Sequence, residues 1–318
     1  MFYPYITVPA DFAFLEVEHQ DGLARASAPG PPEAPCYSGG MKVRPYSEVD
    51  VFSSEPYRGN ALAVVHDADG LSAEEMQRFA TWTNLSETTF LLPPSSPEAD
   101  YRVRIFSAKE ELPFAGHPTL GSAKAWLDAG GSPKSGGTLL QECAAGLVPV
   151  RVEGDLLAFE APPLTRYEPV DEPLMRRIAT ILGIPRETIL AASWLVNGPQ
   201  WIGVRLSSAQ EVLSLEPDPA KAGDLEIGVV GPHDSTEETQ FEVRAFVGGD
   251  PVWEDAVTGS LNAGLARWLI DTKLATPPYT ASQGTVLGRQ GRVHISLRDG
   301  KIWVGGHVTS CIQGTVRL

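Results

Sequence analysis

Apolar positions along this chain follow two rhythms, one of period two and one near 3.6, and the switches between them mark out its elements. Val49-Asp50-Val51-Phe52 and Ala61 to Val65 are β-rich runs parted by SSEPYRGN, a turn-forming cluster, and they predict strand, loop, strand. Ser72 and Glu75 form a capping box, and with Met76, Phe79 and Ala80 as the apolar face they predict a helix from about Ala73. Thr88 to Leu92 predicts a short strand. Tyr101, Val103 and Ile105 alternate with Arg102 and Arg104, as a half-buried antiparallel strand requires. Pro118 suits the first position of a helix, where its missing N–H would be unbonded anyway, and Leu120, Ala123, Lys124 and Leu127 follow at helical spacing. The glycine-rich stretch 130–137 lacks the Gly-Lys-Ser/Thr ending of a phosphate loop and reads as a connection.

Leu147 to Val152 and Leu156 to Glu160 predict two more strands, APPLTRYEPVDEP a connection, and Pro173 to Leu182 a helix. Trp201 to Leu206, Ile227 to Val230 and Phe241 to Val247 are further strand candidates, and a second helix rich in small residues follows Gly259. VHISL, KIWVGG and GTVRL, separated by glycines and RDG, predict short hairpin strands at the end.

Part of this pattern occurs twice. When VRIF at 103–106 is set beside VRAF at 243–246, EELPFAGHPTLGSAKAWLD finds a partner in PVWEDAVTGSLNAGLARWLID. Gly116 then falls on Gly259, Gly121 on Gly264, Ala123 on Ala266 and Asp128 on Asp271, all 143 positions apart. Antiparallel-looking strand runs with one central helix per half predict an α+β fold of two like domains facing each other, residues 41–160 and 161–318, with the last strands able to cross back to the first domain. Residues 1–40 end in ASAPGPPEAPCYSGG and read as a flexible leader, with the folded part expected to begin near Met41.

At 318 residues, 42% of them hydrophobic, the chain can build two ordinary cores. A formal charge of −15 sets it against phosphate backbones, so nucleic acid is not an expected partner. No run of 18 apolar residues and no basic start marks a membrane span or signal peptide, so a cytoplasmic protein is expected. The cysteines, Cys36, Cys143 and Cys311, are odd in number and far apart, which argues against a disulfide framework and a zinc site.

Two helix starts facing across a cleft, at Gly116-His117 and at Gly259-Ser260, would present unpaired N–H groups and positive dipole ends to a carboxylate. Glycine at both would allow close approach of a ligand, though tight turns alone also call for it. Glu87 stands alone before an apolar run and reads either as a solvent-facing or capping residue or as an acid/base whose pKa is raised by burial. His117 at a helix start reads as a cap or a proton relay, and Asp255 as a dipole-stabilised acid or a site residue. Ser260, His117 and Asp255 could be assembled on paper into a hydrolase triad, but no G-x-S-x-G elbow is present.

The segments DVFSSEPYRGNALAVV, NLSETTF, ELPFAGHPTLG, EDAVTGSLNAGLARWL and SQGTVLGRQG, in that order from about Val43 to the C-terminus, resemble the phenazine-biosynthesis PhzF-like isomerases, which share the diaminopimelate epimerase fold. The resemblance implies that Glu87 is the general acid/base, that His117 lines the site and that Asp255, Gly259 and Ser260 match its acid-then-Gly-Ser motif. It also implies substrate-binding roles for Asn60, Ser86, Gly116, Gly259 and Ser260. Epimerases of this fold use paired thiols where Gly116 and Gly259 stand here, so a two-cysteine racemase is not expected. The implied reaction moves a proton between carbons of a small carboxylic acid on a single carboxylate, without metal, nucleotide or flavin cofactor. The implied assembly is a homodimer. Ala256, where the family has proline after the acid pair, and Ser107-Ala108, where a proline is expected after RIF, are departures that bear on loop shape and substrate choice. The reading from another class is a non-catalytic protein that binds a small carboxylate in the same cleft.

Overall fold

A computed structural model describes residues 41–234, 236–249 and 252–318, so the expected leader at 1–40 lies outside the described residues. The chain is α+β. In its first half, β1 (Val43–Val51) pairs antiparallel with β2 (Asn60–Val65), and α1 (Ala73–Thr83) leads to β3 (Glu87–Leu92), parallel to β2. Next comes β4 (Tyr101–Ser107), antiparallel to β3 and extended by the two-residue β5 (Glu111–Leu112). Helix α2 (Gly116–Asp128) carries the chain to β6 (Thr138–Cys143), parallel to β4, and β7 (Gly146–Glu153) and β8 (Leu156–Glu160) close a meander.

The second half begins with β9 (Arg166–Pro169), α3 (Glu172–Leu182), β10 (Ala191–Val196) and β11 (Trp201–Arg205), and continues through the short helices α4 (Ala209–Leu213) and α5 (Pro219–Ala222). The earlier pairings then recur. β12 (Glu226–Pro232) runs parallel to β11, β13 (Phe241–Val247) antiparallel to β12, and β14 (Glu254–Asp255) extends β13. Helix α6 (Gly259–Asp271) leads to β15 (Tyr279–Gln283), parallel to β13, followed by β16 (Gly291–Arg298) and β17 (Lys301–Arg317).

Local sequence explains the helix boundaries. Ser72 accepts from the Glu75 N–H and the Glu75 carboxylate accepts from the Ser72 N–H, so α1 starts where the capping box places it. Helix α2 begins two residues earlier than the proline predicts. Pro118 stands third, still inside the first turn, where a missing N–H leaves no intrahelical bond unmade. Helices α2 and α6 are enclosed nearly all round, as helices built from Gly, Ala, Ser and Leu can be. A Cβ on Gly121 would meet Leu62 at 2.5 Å, and one on Gly264 would lie 3.0 Å from Leu195. Leu120 of α2 and Leu261 and Leu265 of α6 belong to one continuous core with Val51, Leu62 and Phe159.

The chain end corrects the hairpin expectation. VHISL lies in β16, but KIWVGG and GTVRL belong to one 17-residue strand. Its first part pairs with β16 and β8 and its last part with β1, so the C-terminal strand runs beside the first strand of the chain. Gly305 and Gly306 are not turn residues. A Cβ on Gly305 would lie 2.8 Å from the Leu157 carbonyl oxygen, and one on Gly306 2.4 Å from the Phe52 ring, so both serve close packing. Part of the expected connection APPLTRYEPVDEP is also strand, since β9 pairs with β10 although its four residues are all exposed. Among the described residues no helix is long and apolar enough to cross a membrane.

Candidate active site

The loop after β1 is held by one carboxylate. Asp50 Oδ2 accepts from the backbone N–H of Arg58 at 2.7 Å and of Gly59 at 2.8 Å. A Cβ on Gly59 would sit 2.1 Å from the Val51 carbonyl oxygen, so only glycine fits this turn. The turn delivers Asn60, whose Nδ2 donates to Asp255 Oδ1 at 2.9 Å and to the Val257 carbonyl at 3.0 Å. Asn60 is buried, and its amide is turned to Asp255, which lines the cleft. Its amide stands behind Asp255 because both of its acceptors lie there.

Glu87 opens β3, where pairing with β4 fixes the backbone opposite Ser107. His117, the second residue of α2, is buried and directs Nδ1 at Glu87 Oε2, 3.0 Å away. Its Nε2 lies 3.3 Å from the Ala61 carbonyl oxygen. A carbonyl only accepts, so Nε2 carries a hydrogen, and the bond to Glu87 holds one proton between Nδ1 and Oε2. Burial alone would lower the His117 pKa, but the Glu87 charge and hydrogen bond, with Asp255 beyond, raise it above the usual value.

Asp255 ends β14 and faces the same space. Asn60 and Ser86 donate to its Oδ1, Ser86 at 3.4 Å, and the Thr258 hydroxyl donates to Oδ2 at 2.6 Å. Burial first, and then the Glu87 charge, push its carboxyl up to about 6, against the opposing pull of Thr258, His117 and Asn60. Two carboxylates and an imidazole therefore share one enclosed corner, so their protonation is linked.

The two helix N-termini meet backbone to backbone. A Cβ on Gly259 would lie 3.1 Å from the His117 nitrogen and 3.2 Å from the Gly116 Cα, and one on Gly116 would reach 2.5 Å from the Phe159 ring. Side chains at both positions would force the helices apart. Beside this junction a cleft of ≈ 530 Å³ is lined by Ser86, Glu87, Phe114, Trp201, Asp255 and Ser260, among others. Ser260 accepts from the Trp201 indole N–H at 3.0 Å, and its carbonyl accepts from Asn197 Nδ2 at 2.8 Å. Both ring nitrogens of His117 face other partners, so no Ser260–His117 pair of hydrolase type is formed.

Several residues escaped sequence reasoning. Thr258 sits at the N-cap of α6, and its hydroxyl turns to Asp255 instead of capping the helix. Buried Gln283 accepts from the Thr258 N–H and Asn262 Nδ2, and donates to the Thr258 hydroxyl and the Asp255 carbonyl. A usable signal existed for both, a threonine next to a helix glycine and a glutamine in second place in SQGTVLGRQG. Nothing local pointed to Trp201 or Asn197. Cys143 in β6 and Cys311 in β17 are free and absent from the cleft wall.

The chain is similar to known proteins over most of its length. The model of a family described as phenazine biosynthesis-like protein matches residues 49–314. A Schizosaccharomyces pombe protein named antisense-enhancing sequence 1 is 37% identical, over 86% of this chain and 99% of its own length. The trans-2,3-dihydro-3-hydroxyanthranilate isomerase of Pseudomonas aeruginosa is 35% identical over 78% of this chain and 88% of its own. The crystal structure of a PhzF-family phenazine biosynthesis protein from Enterococcus faecalis superposes with a TM-score of 0.74 at 24% identity, covering 87% of this chain and 100% of that one. Matched from its first strand into its last, the chain belongs to the phenazine biosynthesis-like, or PhzF-like, family and is an isomerase.

Proposed function

We propose that this isomerase moves a proton between two carbons of a small unsaturated carboxylic acid, using Glu87 as the single group that takes the proton and returns it. The observation that carries the reading is the Glu87–His117 contact at 3.0 Å beside Asp255 in a cleft large enough for such an acid. Glu87 removes a proton from carbon next to an activating group, the electron pair shifts along the conjugated system, and the proton is delivered to another carbon. Atoms and oxidation state are unchanged, so the reading calls for no cofactor. His117, drawn toward its charged form by Glu87, holds the carboxylate in place. Asp255 holds a hydrogen-bond donor of the substrate, with Ser86 beside it. The N–H groups near Gly116 and Gly259 and the Ser260 hydroxyl hold the substrate carboxylate at the meeting helix ends.

The relatives named trans-2,3-dihydro-3-hydroxyanthranilate isomerases make that compound the first substrate to try. The recurrence of strand pairings and of the 13-residue helices supports reading the halves as two pseudo-symmetric domains of diaminopimelate epimerase type, with the cleft between them. A cytoplasmic homodimer with no nucleic-acid or membrane partner completes the proposal. The test is deuterium uptake from heavy water into a panel of unsaturated amino and hydroxy acids, wild type against Glu87→Gln. Uptake by the wild type alone supports the reading. Binding without uptake by the wild type would replace it with a non-catalytic carboxylate-binding site.

A further inference from the structure

One hydrogen-bonded fork occurs twice in this fold. In the first half, Arg104 of β4 donates through Nε and Nη2 to the two carboxylate oxygens of Glu111 in β5, at 2.7 and 2.6 Å. In the second, Arg244 of β13 donates through the same atoms to Glu254 of β14, both at 2.8 Å. Each guanidinium lies over the phenylalanine two residues on, 5.2 Å from the Phe106 centroid and 4.9 Å from that of Phe246.

The copies differ in two ways. The side chains of Arg104 and Glu111 are 28% and 37% exposed, those of Arg244 and Glu254 only 4% and 10%. Arg244 Nη1 also donates to the carbonyls of Leu215 at 2.7 Å and Val212 at 3.2 Å, so this guanidinium is tied on three sides. The second difference is the residue after the glutamate. Leu112 succeeds Glu111, whereas Asp255 succeeds Glu254.

We propose that the buried Arg244–Glu254 fork is a positioning device for Asp255, locking β14 so that the aspartate carboxylate stays between Asn60 and Thr258. The proposal rests on the role given to Asp255 above. Neighbouring residues of a strand point to opposite faces, so a clamp on Glu254 on one face sets the direction of Asp255 on the other. β14 has two residues and pairs with β13 at Ala245↔Asp255 and Phe246↔Glu254, too short a ladder to resist twisting unaided. A bidentate guanidinium–carboxylate pair adds the missing orientation, because its two parallel bonds fix a plane. A buried ion pair is otherwise a weak source of stability, and well-packed apolar residues can replace it at little cost. The charged groups facing Asp255 are Glu87 from β3 and His117 from α2. By neutralising Glu254, Arg244 keeps a third charge from acting on them.

The test titrates the Asp255 carboxyl in full-length protein carrying ¹³C-labelled aspartate, with Asp255→Asn identifying the signal, and needs no substrate. The variants are Arg244→Gln, the apolar pair Arg244→Met with Glu254→Leu, and the first-half pair Arg104→Met with Glu111→Leu. The wild-type midpoint is expected at about 6. Arg244→Gln, and the apolar pair if the single variant does not fold, should raise it by about one pH unit as the donors from Thr258 and Asn60 fall out of line. The first-half pair should leave it in place. A folded apolar pair with an unchanged midpoint, or an equal shift from the first-half pair, would overturn the proposal. Full turnover by Asp255→Asn is a different result, which removes Asp255 from the reaction and leaves the fork's effect on its midpoint readable.

Discussion

His117 Nδ1 lies 3.0 Å from Glu87 Oε2, close enough for the imidazole and the carboxylate to share a hydrogen bond directly. The pair joins a helix N-terminus to the first residue of a strand, so the proton it holds is fixed in place by two rigid elements.

Glu87→Gln keeps the shape of that contact and removes the proposed base. Turnover is expected to fall by about 10²–10⁴-fold while ligand affinity stays within about a few-fold. Steady-state kinetics and calorimetric titration with the same ligand measure both numbers, and undiminished turnover would take Glu87 out of the mechanism.

Activity should follow a bell-shaped pH profile. The acid limb reports Asp255, whose carboxyl is pushed up to about 6, with activity rising as it ionises. The alkaline limb reports loss of the His117 proton, above the usual histidine value. A kcat/KM profile that is flat between about pH 5 and 7 would contradict the Asp255 assignment.

The same shift has a stability consequence of definite sign. Between its unfolded value near 3.8 and its folded value of about 6, Asp255 holds more proton in the native state, so its contribution to stability falls as pH rises through that window. Denaturant unfolding should show this decline in the wild type and a weaker one in Asp255→Asn. His117 acts at higher pH, where its stabilising contribution is complete below the unfolded value near 6.5 and is lost as pH climbs through the raised folded value.

Gly259→Ala places a methyl group 3.1 Å from the His117 nitrogen and 3.2 Å from the Gly116 Cα. Backbone has to move, and a loss of about 1–3 kcal/mol is expected in urea unfolding, together with reduced turnover. Unchanged stability would mean that the helix ends separate freely.

Trp201→Phe keeps an aromatic ring but removes the N–H that reaches Ser260 at 3.0 Å. The freed hydroxyl turns away from its set direction, and KM is expected to rise by about five-fold, the equivalent of about 1 kcal/mol, with kcat little changed. A fall in kcat at constant KM would place Ser260 in the chemical step.

Much of the fold could be read from residues close together in the chain. The capping box places α1, alternation places β4, and the Gly116/Gly259 correspondence pairs α2 with α6. β9 was missed because an exposed strand carries no apolar alternation, and its pairing with β10 comes from the partner. β17 was divided at Gly305-Gly306 because glycine marks turns more often than tight strand crossings, and only the position of Phe52 and Leu157 tells which applies.

The sequence by itself determined most of the element types and the doubled plan, because propensity, periodicity and capping act over a few residues. Glu87, His117 and Asp255 stood out as candidate site residues only through the family resemblance, since taken alone each also reads as a capping or dipole-stabilised residue. Their meeting, the placing of Asn60 behind Asp255, the Trp201–Ser260 bond and the burial that moves Asp255 were decided only by the tertiary structure. Desolvation and charge coupling depend on distance in space, and these groups come from β-strands, helix ends and loops up to 195 residues apart.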